Sequence, residues 1–341
     1  MTEPKPRLVI VGTGWAGFYI AQYIDSNKYA VTSISPRRTS AYTPLLASAA
    51  CGQFNFYLAE EPVRSKSRSS QKFIKANVLD VDFDTRTVHC APAFDNDPKL
   101  SQQEFDVEYD LLVLAPGCMP NTFNTPGVSE HALFMKNVSD AMAVRKLLFD
   151  LLEKASLPTT TPEQIRSLLH IAIVGGGPTG IELTAELDDL AKRELRHLYP
   201  DVAHHVHISI YDVAPNILSA YDRKLYEYAN ESLTRRSVAI ETNTTIQRVD
   251  AEALYLKDQG RVEYGMLIWV CNSFDSLPSF TCHFFALCTC FPASEAYKSP
   301  QPSTQLPNPF KPLHANPISS PKLLHLTPLS PSRQPATNKS P

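Results

Sequence analysis

The first 270 residues carry short apolar runs at spacings that predict strands, with longer mixed patterns between them that predict helices. Residues 8–11 ("LVIV") and 171–174 ("IAIV") are continuously apolar, as central parallel strands buried on both faces should be. Each run leads into a glycine-rich turn and then a helical pattern. "AVTSISPRR" predicts a strand ending at Ser35, and "VHISIYDVAP" an alternating strand ending at Asp212. The helix after the second turn should extend from Ile181 to about Tyr199, with "AKRELRHL" as its wet face. "EYGMLIW", residues 263–269, begins like one more buried strand.

Both turns carry the same motif. Gly12, Gly14 and Gly17, then Gly175, Gly177 and Gly180, each fit G-x-G-x-x-G between a strand and a helix. In that motif the first glycine permits a tight turn and the second lets a pyrophosphate reach the backbone. The third lets helix and strand pack closely, with the phosphates at the helix N-terminus. At roughly 7% glycine usage, two independent chance matches are expected under about 0.01 times in a chain this long. Two dinucleotide sites follow. Asp212 stands where an acid accepts both ribose hydroxyls, which favours NAD(H) over a 2′-phosphorylated nucleotide. Ser35 occupies the matching place after the first motif, where a hydroxyl gives a weaker ribose bond.

At 341 residues the chain has room for two ordinary domains. A net charge of −3 gives no basis for nucleic-acid binding. The seven cysteines form no C-x-x-C pair and read as reduced thiols. His204, His205 and His207 read as a solvated loop rather than a metal site, and no metal is expected. Trp15 and Tyr19 read as packing residues, and "VRSKSRSS" at 63–70 as a solvated basic loop.

Composition changes near residue 270. Residues 271–341 hold thirteen of the 28 prolines, no glycine and two acids, Asp275 and Glu295. Such a segment should be disordered or extended. The apolar stretch 277–291 is shorter than the roughly 18–20 residues that span a bilayer.

The segments "ISPRRTSAYTPLLASAACG", "YDLLVLAPGCMPNTFNTPGV", "ALFMKNVSDA", "VGGGPTGIELTAEL" and "YGMLIW" resemble the type II, single-subunit NADH:quinone oxidoreductases, in particular the fungal and plant alternative enzymes. The resemblance runs from about Arg7 to Trp269. It implies an α/β fold of two Rossmann-like domains, of the pyridine nucleotide-disulfide oxidoreductase kind. Residues 1–165 would form the N-terminal part of an incomplete FAD-binding domain, 166–270 an NADH-binding domain, and 271–341 a disordered, aberrant tail. It implies FAD at Gly12, Gly14 and Gly17, with Ser35 at its ribose, Thr43, Pro44 and Leu45 against the isoalloxazine, and Gly117 as a further cofactor contact. NADH would lie at Gly175, Gly177, Gly180 and Asp212, and Glu182 would stand at the nicotinamide–flavin interface as the acid–base residue. Hydride would pass from NADH to FAD, and electrons on to a quinone.

The family's C-terminal elements, including its membrane-docking helices, are not found after Val270, and a homodimer stays open. Val270-Cys271 can be encoded as GTATGT, like a fungal intron donor, so the tail is expected to be translated intron or frame-shifted sequence. The family implies the mitochondrial inner-membrane surface; "MTEPKPRLVIVG" shows no leader, which as written predicts a cytosolic chain. A disulfide reductase of this architecture would need two neighbouring cysteines after the first helix, where Cys51 stands without a second. An NAD(H)-binding remnant without catalysis and an apoptosis-inducing-factor-like NADH oxidoreductase remain as alternatives.

Overall fold

The computed structural model describes residues 4–64 and 71–271 and the backbone of Cys290–Pro292. The expectations for the rest of the tail, and for most of the basic loop, lie outside the described residues. In chain order the first part comprises β1 (Arg7–Val11), α1 (Trp15–Tyr23), β2 (Ala30–Ser35), β3 (Thr39–Ala41), α2 (Leu46–Ala50), β4 (Glu60–Pro62), β5 (Lys72–Asp82), β6 (Thr87–Pro92), α3 (Pro98–Ser101), β7 (Phe105–Glu108) and β8 (Leu111–Leu114). Next come α4 (Val128–His131), α5 (Val138–Ala155), α6 (Pro162–Leu168), β9 (His170–Val174), α7 (Pro178–Leu190), α8 (Arg196–Leu198), β10 (His207–Tyr211) and α9 (Arg223–Arg235). Short strands follow: β11 (Ala239–Glu241), β12 (Ile246–Val249), β13 (Ala253–Leu256), β14 (Gly260–Glu263), β15 (Met266–Trp269) and β16 (Cys290–Pro292).

Two sheets, each built around parallel central strands, organise these elements, as the two apolar runs predict. In the first, β8, β1, β2 and β5 are parallel neighbours, β6 and β7 continue as an antiparallel meander, and β16 pairs antiparallel with β8. The second is fully parallel in the order β11-β10-β9-β15, beside a separate antiparallel sheet of β12, β13 and β14. All five residues of β9 are buried. In β10 every residue after His207 is buried too, so the alternation read from its sequence does not survive. Both faces of that strand are covered, and Ser209 is carried inside.

Helix α5 shows why its residues are helical. Asn137 and Asp140 form a capping box, satisfying two of the amides that a helix start leaves open. Val138, Ala141, Val144, Leu148, Leu151, Leu152 and Ala155 then recur at three- and four-residue spacing and are all buried. They share one core with Leu46, Ala49 and Ala50 of α2, Leu183 and Leu187 of α7, and Ile171 and Ile173 of β9.

The first part of the chain also completes the second sheet. Leu133 bridges Ile268, its amide donates to the Leu267 carbonyl (2.9 Å), and the Trp269 amide donates back to Leu133 (2.7 Å). The Trp269 indole donates to the Asn121 carbonyl (2.7 Å), and the Asn121 amide to Cys271 (3.0 Å).

At the other end of this sheet His170 stacks on His207, with ring centroids 4.2 Å apart. His170 is 5% exposed. Nδ1–H donates to the Glu263 carbonyl (2.6 Å), leaving Nε2 to accept from the Ser209 hydroxyl (2.9 Å). Burial pushes this imidazole from 6.5 down to about 4, against the smaller opposing pull of the Glu263 carbonyl. A histidine held neutral in the fold binds fewer protons than its unfolded counterpart. Its stabilisation is therefore complete above pH 6.5 and is lost as pH falls toward 4. Urea titrations across that window should show a loss of up to about 3 kcal/mol from this group, and His170→Gln should flatten that part of the profile.

Candidate functional site

The two glycine turns are built alike, residue for residue. Val11 of β1 pairs with Ile34 of β2, and the Gly12 amide donates to the Ile34 carbonyl (2.8 Å). Val174 of β9 pairs with Tyr211 of β10, and the Gly175 amide donates to the Tyr211 carbonyl (2.9 Å). Ser35 and Asp212 each follow the paired residue, so they hold equivalent places at the two sites.

Within each turn the glycines divide by what surrounds them. A Cβ on Gly12 would lie 2.1 Å from the Ala115 carbonyl oxygen, and one on Gly17 1.9 Å from the Gly12 carbonyl oxygen. A Cβ on Gly180 would lie 2.0 Å from the Gly175 carbonyl oxygen. Gly12 and Gly175 also have φ of +92° and +115°, a region that side chains other than glycine's rarely occupy. Gly12, Gly17 and Gly180 are glycine because the protein's own backbone crosses there, and Gly175 because of its left-handed backbone. Gly14 and Gly177 differ: a Cβ on either meets nothing within 4 Å. The chain itself does not require glycine at these two positions, and each opens onto free space at a helix start.

That space is suited to an anion. Gly14 and Gly177 are the N-caps of α1 and α7, neither makes a side-chain cap bond, and neither helix has an acid in its first turn. The first amides and the positive end of the helix dipole therefore remain available to phosphate oxygens. Pro178 at the start of α7 gives up an amide that has no partner within the helix. Both turns fit a dinucleotide pyrophosphate on these grounds.

Asp212 is fixed before any ligand arrives. Its carboxylate accepts the Gly176 amide (2.6 Å) and the Ala214 amide (2.8 Å), which uses about half its acceptor capacity. The remaining lone pairs can take ribose hydroxyls. Ser35 is buried, with its Oγ 3.4 Å from the Arg37 amide, and offers a single neutral oxygen.

Thr43–Leu45 forms a 3-10 turn leading into α2, with Thr43 and Pro44 exposed and Leu45 half-buried. Trp15, the first residue of α1, donates its indole N–H to Thr43 Oγ1 (3.1 Å) and lies 5.0 Å from the Tyr42 ring. This ties the turn to the first cradle. Trp15 and Tyr19 are 54% and 62% exposed, so they pack at the surface, on Tyr42 and Tyr23, and not in the core. Gly117, at φ +78°, stands two residues beyond Ala115, whose carbonyl covers Gly12.

Glu182 lies in the second turn of α7 with its side chain exposed. Although the residue is exposed overall, partial desolvation of its carboxyl pushes it up from the ordinary glutamate range, and the neighbouring Glu186 adds to this. Glu186, which the sequence reading passed over, accepts the Ser48 hydroxyl (3.0 Å) and the Gln53 amide. The four-residue spacing in "ELTAEL" is the one sequence signal of that pair.

Among the described residues no three His, Cys, Asp or Glu side chains gather as metal ligands, and no helix is long and apolar enough to cross a membrane. His204 and His205 lie in a 3-10 turn with rings 4.0 Å apart, and His207 faces His170 instead. A cleft of about 470 Å³ between Glu153–Ser156 and Leu198–Val202 contains none of the candidate residues.

Residues 6–271 match the sequence profile of the pyridine nucleotide-disulphide oxidoreductases. The external alternative NAD(P)H-ubiquinone oxidoreductase B3 of Arabidopsis thaliana mitochondria is 36% identical, over 78% of this chain and 47% of that protein. The internal alternative NAD(P)H-ubiquinone oxidoreductase A1 of Solanum tuberosum mitochondria is 35% identical, over 79% and 55%. NDH2 from Plasmodium falciparum, solved in complex with NADH, superimposes with a TM-score of 0.74 at 31% identity, covering 79% of this chain and 55% of that one. The chain thus spans about half the length of the relatives it matches, and these relatives bear out the resemblance to the type II enzymes. With two cradles of one design and a matching profile over most of its length, the chain belongs to the pyridine nucleotide-disulphide oxidoreductase family.

Proposed function

We propose that the chain is the nucleotide-binding part of an FAD-dependent NADH:quinone oxidoreductase, with FAD in residues 1–165 and NADH in residues 166–270. The observation that carries this reading is the pair of cradles, each with a middle glycine that opens onto free space at an uncapped helix start. The quinone and a mitochondrial location rest on the names of the relatives, which are mitochondrial NAD(P)H-ubiquinone oxidoreductases. The chemistry a bound flavin supplies is hydride acceptance from NADH and electron delivery to the quinone.

The residues of the chain then have limited tasks. Gly12, Gly14 and Gly17 admit the FAD pyrophosphate to the start of α1, with Ser35 at its ribose and Gly117 nearby. Thr43, Pro44 and Leu45, braced by Trp15, form the wall for the flavin ring. Gly175, Gly177 and Gly180 admit the NADH pyrophosphate, and Asp212 takes its ribose hydroxyls. Glu182 holds a proton on its carboxyl more readily than an ordinary glutamate, and serves as the acid–base group where the two nucleotides meet.

An absorption spectrum of the purified full chain tests the reading directly. Flavin bands near one equivalent would support the enzyme, and their absence would favour an NAD(H)-binding remnant that does not retain flavin.

Gly177→Val separates ligand from fold. A Cβ there touches nothing, so stability should shift by no more than about 1 kcal/mol, the scale of changing a helix cap. NADH affinity should fall on the order of 100-fold or more, because the branched side chain fills the pyrophosphate's place and removes its amide contacts. Calorimetric titration alongside circular dichroism reads both; unchanged NADH binding would refute the assignment.

Asp212 should make NADH bind better than NADPH by about 1–3 kcal/mol, since a 2′-phosphate would face a fixed carboxylate. Asp212→Ala should narrow that gap. Equal affinities in the unaltered chain would show that Asp212 does not read the ribose.

A further inference from the structure

One contact between α7 and α2 is used by none of the roles above. Glu186 sits one turn beyond Glu182 and reaches across to Ser48 on α2 (3.0 Å) and to Gln53 just after it. Helix α2 begins directly after Thr43–Leu45, so whatever holds α2 also holds that turn. Beneath the contact, Leu46, Ala49 and Ala50 share a core with Leu183 and Leu187, and the hydrogen bonds add direction to that non-directional packing.

We propose that Glu186 is a positioning residue: its carboxylate, bonded to Ser48 and Gln53, clamps the helix that carries Glu182 to the helix behind the Thr43–Leu45 turn. The contact joins an element of the first half of the chain to one of the second at a single acidic side chain. Its charge has a second effect, because an anion one helical turn away disfavours ionisation of Glu182. Glu186 acts on Glu182 of its own helix and on the buried Cys51 thiol that caps α2, and the same thiol feels the Arg145 guanidinium of α5 and the carboxylates of Glu194 and Asp189. The Cys51 thiol is pushed up to about 12, chiefly by burial and then by Glu186, so it stays neutral.

The catalytic meaning of this clamp rests on the oxidoreductase reading, but its test does not. Both readouts use the full chain without cofactors: the ¹³C titration of the Glu182 carboxyl, assigned by its loss in Glu182→Gln, and amide exchange over residues 46–51. Glu186→Gln keeps an acceptor for Ser48 and removes the charge. The Glu182 midpoint should move to lower pH, while exchange over 46–51 stays slow. Ser48→Ala combined with Gln53→Ala keeps the charge and removes the tie. The Glu182 midpoint should stay in place, while exchange over 46–51 speeds up about tenfold relative to β9, as expected for losing one or two net hydrogen bonds. A Glu182 midpoint unmoved by Glu186→Gln would overturn the proposal. So would exchange in the double variant that is unchanged, or that rises equally in β9. Absence of flavin or NADH binding would sink the oxidoreductase reading and leave these outcomes as they are.

Discussion

Each half of the described chain depends on one backbone crossing. The third glycine of each motif, Gly17 or Gly180, lets a helix rest on the carbonyl of the first, Gly12 or Gly175, with no room for even a methyl group between them. That contact fixes how close the helix starts to the strand and therefore where its free amides point. The empty space beside Gly14 and Gly177 is a by-product of the same geometry, since a helix pinned at its third residue must expose its cap. Strand register then brings Ser35 or Asp212 to the rim of that space.

The same crossing separates two kinds of glycine that look alike in the motif. Some serve the fold, whereas at Gly14 and Gly177 the chain leaves space that it does not itself fill. The helix packing follows from this arrangement. Because α7 is anchored at its start, its later turns come against α2, and Glu186 finds Ser48 and Gln53. That contact ties an early helix of the chain to a late one through hydrogen bonds as well as apolar packing.

Much of this was legible in the residues. Continuous apolar runs before each G-x-G-x-x-G marked the parallel strands, and Asp212 was found from its place at a strand end. Glu182 was reached by resemblance alone. Three features were not legible, each for a physical reason. The alternation in "VHISIY" suggested a half-exposed strand, but a buried Ser209, bonded to His170, restores the polar residue to the interior. Trp15 reads as packing and does pack, on Tyr42, but at the surface, where its indole also braces Thr43, and nothing in the sequence marks that place. Glu186 resembles any helical acid until the fold brings α2 against it, a contact between residues far apart in sequence.

The bridge from Leu133 to Ile268 has a consequence for the order in which the molecule forms during synthesis. Strand β15 is the last element of the second sheet to leave the ribosome, yet the segment containing Asn121 and Leu133 takes its partners from it. Until Trp269 emerges, that segment and one edge of β9 have unmet amides and carbonyls. The nascent chain therefore passes through a long interval in which β1, β2, β5 and β8 can pair while the other sheet stays open along one side.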